Sequence, residues 1–141
     1  MFVKDIMHSG NIHTIASNNT IEDAAIKMTQ LNVGALVVGS IENMEGIFSE
    51  RDILKKVVGV GLDVANTIVK QAMTSNIATI KESENIYDAL DIMQRKKIRH
   101  LPVVDFEGKC IGMLGIRDVM KAVSQMIEKE NEALVKFISE V

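Results

Sequence analysis

Apolar residues recur along this chain at two spacings, and the switch between them marks its elements. Ile21, Ala24, Ala25, Met28 and Leu31 follow at the three- and four-residue steps that line one helix face. Ser17 to Thr20 form a turn and cap cluster ahead of them, and Thr20 with Asp23 has the spacing of a reciprocal N-cap pair. Gly34 lies just past this segment, where glycine is favoured at a helix end. The run Ala35-Leu36-Val37-Val38 is short and continuously apolar and reads as a buried strand. Ser40 to Glu45 is a polar hairpin loop, Gly46-Ile47-Phe48 a second short strand, and Arg51 to Val58 a helix. The grammar then restarts. Ser83 and Glu84 precede a helix with Ile86, Ala89, Leu90 and Met93 on one face; Leu101 to Val104 and Cys110 to Leu114 are strands about the turn Asp105 to Gly108. A long helix begins near Ile116 and runs almost to the end of the sequence.

The restart is a repeat. Val3-Lys4-Asp5-Ile6-Met7 returns as Val69-Lys70-Gln71-Ala72-Met73, Thr14-Ile15 as Thr79-Ile80, and Gly46 to Asp52 as Gly112 to Asp118, a period of 65 or 66 residues. Such a period sets the architecture. Residues 1–62 form one repeat and residues 63–141 the second, each built as strand, helix, strand, strand, helix, with Gly59-Val60-Gly61 at the joint. Residues from Asn131 onward have no counterpart in the first repeat. Leu134, Val135 and Ile138 make them a helical extension, which either covers the core or contacts another subunit.

With 141 residues the chain can bury one ordinary core, whereas each repeat alone would be marginal, so one cooperative unit of two halves is expected. A net charge of −3 argues against a nucleic-acid partner, which would call for a basic face. No apolar run reaches the roughly 18 residues of a membrane span, and the first residues lack a signal-peptide layout. The one cysteine, Cys110, lies in an apolar strand and fits a reducing, cytoplasmic setting. His8, His13 and His100 show no metal-ligand spacing, and Met28 and Met93 read as core fillers. No nucleophile–base arrangement or Walker loop points to catalysis. The expectation is a protein that is not an enzyme and carries no metal and no cofactor.

The repeated segments resemble the CBS domain family. They are Val33 to Val38, Gly46 to Asp52, Ile98 to Asp105 and Gly112 to Asp118, and the likeness spans nearly the whole chain. It implies an α+β fold of two tandem βαββα repeats packed with pseudo-twofold symmetry, followed here by the C-terminal helix. It implies clefts between the repeats that bind an adenine nucleotide. AMP is the simplest choice, because few cations are at hand for ATP, ADP or NADH. It also implies homodimers of such pairs and a regulated protein partner.

The resemblance assigns roles to particular residues. Ser49-Glu50-Arg51-Asp52 sits where a strand becomes a helix, a place that suits phosphate. Ser49 would donate to a phosphate oxygen and Asp52 would accept from both ribose hydroxyls; the plain alternative is an N-cap. Asp118 is the matching acid, but Gly115 replaces the serine, so the two sites are not equivalent. Arg51 and Arg117 stand beside the two acids. Arg95, Lys96 and Lys97 suit a helix C-terminus, whereas Arg99 and His100 open the next strand and would approach phosphate. Thr14, Ile15, Thr79, Ile80 and Pro102 would line the adenine and ribose, or else be ordinary strand residues.

Overall fold

The computed structural model describes residues 1–10 and 12–140. The chain divides into two compact units, and these are not the two sequence repeats. One comprises Ser9–Ile77 with Asp105–Ile111; the other comprises Met1–His8, Ala78–Val104 and Gly112–Val141.

The first unit contains β1 (Thr14–Ile15), α1 (Ile21–Leu31), β2 (Ala35–Gly39), β3 (Met44–Ser49), α2 (Glu50–Asp52) and α3 (Val69–Ala72). Its sheet has the order β1-β2-β3. β1 runs parallel to β2, with Thr14 opposite Val37, and α1 is the crossover between them. β2 and β3 form an antiparallel hairpin. Ile15, Ile21, Ala24, Met28, Leu36, Val38, Phe48, Val57, Val69 and Ala72 make one buried cluster. Ile21, Ala24 and Met28 of the expected helix face lie inward, whereas Leu31 at its end is exposed. Asp23 and Thr20 form the expected capping box. Hydrogen bonds from the Asn19 side chain and then from Thr20 hold the Asp23 carboxyl below its ordinary range.

The second unit contains β4 (Ile80–Lys81), α4 (Ile86–Lys96), β5 (His100–Val104), most of β6 (Cys110–Gly115) and α5 (Ile116–Ser139), with a 3-10 turn over Val3–Asp5. β4 runs parallel to β5, pairing Ile80 with Val103, so the first unit's crossover is repeated. Val3, Ile80, Ile86, Ala89, Met93, Leu101, Val103, Val104, Leu114, Val119 and Ala122 are among its buried apolar residues. This is the α+β pattern of two strand–helix–strand–strand–helix repeats.

Several details depart from the sequence reading. Gly34 does not end α1. Asn32 takes the left-handed conformation at φ 53°, and Lys97 does the same after α4 at φ 55°. In each case the next amide, Val33 or Ile98, returns to a carbonyl five residues back, Met28 or Met93. That closure compensates a conformation unfavourable for a side chain with a Cβ. The cap of α4 is Asn85, which accepts from the Tyr87 amide at 2.8 Å. The helix expected over Arg51 to Val58 is α-helical only at its start. It widens to a π turn over Ile53–Val57 and tightens to 3-10 over Val58–Val60.

The C-terminal extension is helical, as expected, but it does not cover a core. Leu134, Val135 and Ile138 are 57%, 65% and 64% exposed, and the buried residues of α5 are Val119 and Ala122. The reason is length. A helix of 24 residues runs about 36 Å; the 6-residue strand before it spans about 20 Å, so α5 outruns its sheet.

The segments that open each repeat pack with the repeat they do not begin. Val3 and Lys4 donate backbone N–H groups to Glu84 and Glu82, while Val69 and Lys70 donate to Asn19 and Ser17. The pairs match at the repeat period.

Candidate functional site

Asp52 closes the first turn of α2 and is almost wholly buried, its side chain 11% exposed. One carboxylate oxygen accepts from the Ser49 amide at 3.0 Å and from its hydroxyl at 3.2 Å. The other accepts from the Thr74 hydroxyl at 3.3 Å and pairs with Lys56 Nζ at 3.0 Å. Ser49 Oγ in turn accepts from the Asp52 amide at 3.3 Å. Ser49 and Asp52 are thus a capping box. A buried carboxylate is tolerable here because a cation and three hydrogen bonds meet it.

Asp118 has a different setting. It occupies the same position in the first turn of α5, but Gly115 supplies no side-chain cap. Its carboxylate meets His8 Nε2 at 2.8 Å, with the two side chains 43% and 73% exposed. His8 and Thr74 are equivalent at the repeat period. Both follow a methionine, and both are held by a pair of backbone hydrogen bonds: His8 with Met113, Thr74 with Ile47. The position equivalent to Lys56 is Ala122.

The remaining candidates divide by unit. Thr14 is half-buried and its carbonyl accepts from Lys27 Nζ, while Ile15 belongs to the core. Arg51 is exposed next to Asp52, and Arg117 is exposed next to Asp118. The Arg99 carbonyl receives the Ile116 amide at 2.9 Å, which sets its exposed side chain at the start of α5; Gly34 receives Glu50 in the same way at 3.0 Å. His100 is half-buried on β5, Ile80 and Pro102 are buried, and Thr79 is exposed just before β4. Arg95 pairs with Asp91 one turn earlier on α4 at 2.9 Å, the helix-surface role.

Lys56, Thr74 and His8 join these aspartates without a motif that marks them. Lys56 was accessible as a base four residues after Asp52. His8 and Thr74 follow the aligned Met7 and Met73, yet nothing in the sequence says that these positions meet Asp118 and Asp52.

The sequence pattern of the CBS domain matches residues 3–59 and again 69–125. A mitochondrial CBS domain-containing protein of Arabidopsis thaliana, CBSX3, is 34% identical over 96% of this chain and 71% of its own. A solved CBS-domain containing protein from Agrobacterium tumefaciens is 31% identical, covers 86% of this chain and 98% of its own, and superposes with a TM-score of 0.77. The CBS domain pair of protein MJ0100 was solved with 5'-methylthioadenosine and S-adenosyl-L-methionine. It covers 89% of this chain and 98% of its own at a TM-score of 0.78, and at 24% identity it speaks to the fold alone. Among the described residues no helix is long and apolar enough to cross a membrane.

Proposed function

Because the chain belongs to the CBS domain family and carries its two copies in tandem, we propose that it is a regulatory module that binds an adenine nucleotide, most simply AMP. The reading rests on one observation. Each repeat sets an aspartate in the first turn of a helix that leaves a strand directly: Asp52 after β3, Asp118 after β6. A carboxylate held there accepts from two ribose hydroxyls, and the exposed arginine beside it, Arg51 or Arg117, is a partner for phosphate. The role is regulatory rather than catalytic, exercised in the cytoplasm through a shift between bound and free shapes that a partner protein reads.

The test is thermal melting with AMP, ADP, ATP, NADH and S-adenosylmethionine. A ligand that binds the folded state raises the midpoint, and AMP is expected to do so most. Loss of a charge-assisted hydrogen bond is worth about 1.5–3 kcal/mol, so Asp52→Ala or Asp118→Ala should weaken its own site about tenfold or more. If no compound shifts the midpoint at millimolar concentration, the reading is wrong.

A second reading is that the module only mediates assembly. It draws on the saturated hydrogen bonding of Asp52 and on the exposed Ile127, Leu134, Val135, Phe137 and Ile138 of α5. A homodimer in sedimentation that ignores every nucleotide would favour it.

A further inference from the structure

We propose that His8 places ligand binding at Asp118 under pH control, and that Asp52 is free of this control; the inference rests on the nucleotide-binding reading above. The two aspartates are matched by the repeat, but their cations are not. Asp52 faces the amino group of Lys56 and the small hydroxyl of Thr74. At Asp118 the lysine position is Ala122 and the threonine position is His8, so the group that meets the carboxylate is an imidazole. Histidine is the side chain whose charge ordinarily changes between pH 5 and 8.

His8 is placed by its backbone. Its N–H donates to the Met113 carbonyl at 3.0 Å, and the Met113 N–H returns to the His8 carbonyl at 3.1 Å. Next to it Gly112 leaves no spare room: a Cβ there would lie 2.7 Å from Met7 Sδ and 3.2 Å from the His8 carbonyl oxygen. Other charged and titratable side chains on the surrounding elements include Lys4 and Asp5 on the 3-10 turn, Arg99 and His100 about the start of β5, and Arg117 and Lys121 on the first two turns of α5. Asp5 is taken by the Phe2 amide at 2.8 Å, and Lys4 lies over the Phe2 ring at 5.7 Å. Asp118 is the group the imidazole meets.

A ribose diol that takes both carboxylate oxygens of Asp118 competes with His8 for Oδ2. The protonated imidazole holds the carboxylate through a charge-assisted bond, and the neutral ring holds it less. Binding at Asp118 therefore tightens as pH rises. Both side chains are substantially exposed, so the effect is modest, about threefold.

Adenosine is the probe, because it carries the diol without a titrating phosphate. In the Asp52→Ala protein, calorimetry should show adenosine binding about threefold more tightly at pH 8 than at pH 5.5. Adding His8→Thr, the residue of the first repeat, should flatten that dependence. The Asp118→Ala protein, left with Asp52, should be flat as well. A flat profile in Asp52→Ala, or a slope that survives His8→Thr, overturns the role of His8 alone. If neither adenosine nor AMP binds the unmodified protein, the nucleotide reading falls and this inference falls with it.

Discussion

At the residue scale the chain's chemistry lies in a few substitutions between otherwise matching positions. Ser49 caps its helix and orders Asp52; Gly115 does neither. The glycine is not required by space or backbone. A Cβ there would lie 3.5 Å from Asp118 Oδ2, an ordinary contact, and its φ of −95° suits any residue. Gly115→Ser should therefore recreate the capping box. Better capping and a less flexible unfolded chain together are worth about 0.5–1 kcal/mol, a rise in melting temperature of about 1–4 °C by calorimetry. The motif that carries the two aspartates was legible from the repeat, because identical residue types at one period need no coordinates to align. Their partners were not legible. Lys56 reaches Asp52 through helical geometry, but Thr74 and His8 arrive from 22 and 110 residues away.

At the element scale periodicity served the helices well. Ile21, Ala24 and Met28 in α1, and Ile86, Ala89 and Met93 in α4, are buried at the expected steps. It failed where the pattern continues but the neighbour stops. The helical spacing of Leu134, Val135 and Ile138 is real, yet no described element packs on them within the chain. Deleting residues 131–141 should thus shift the melting temperature of the monomer by less than about 2 °C, since exposed surface contributes little. A larger fall in calorimetry would show that the segment is covered in solution. The ends of α1 and α4 taught a related lesson. Glycine is the usual terminator, but Asn32 and Lys97 take the left-handed position when a returning amide closes the turn.

At the scale of the whole molecule the opening segments matter most, because each is clamped to the repeat it does not begin. Gly46 and Gly112 are the clamp points. A Cβ on Gly46 would lie 2.8 Å from the Thr74 carbonyl oxygen and 2.7 Å from Met73 Sδ; on Gly112 the backbone contact is looser, 3.2 Å to the His8 oxygen. A flexible thioether can move aside, but a paired backbone cannot. Gly46→Ala should cost about 1–3 kcal/mol in chemical unfolding, and Gly112→Ala clearly less.

What the sequence determined by itself is the repeat, the order of strands and helices within it, the inward faces of α1 and α4, and the two aspartates. These follow from local spacing, which each segment carries wherever it packs. Tertiary structure alone decided that the compact units cross the sequence boundary, that α5 outruns its sheet, and that Asp52 meets a lysine while Asp118 meets a histidine. Those outcomes depend on which distant segment completes each sheet and core, and a one-dimensional pattern records no distance between residues far apart along the chain.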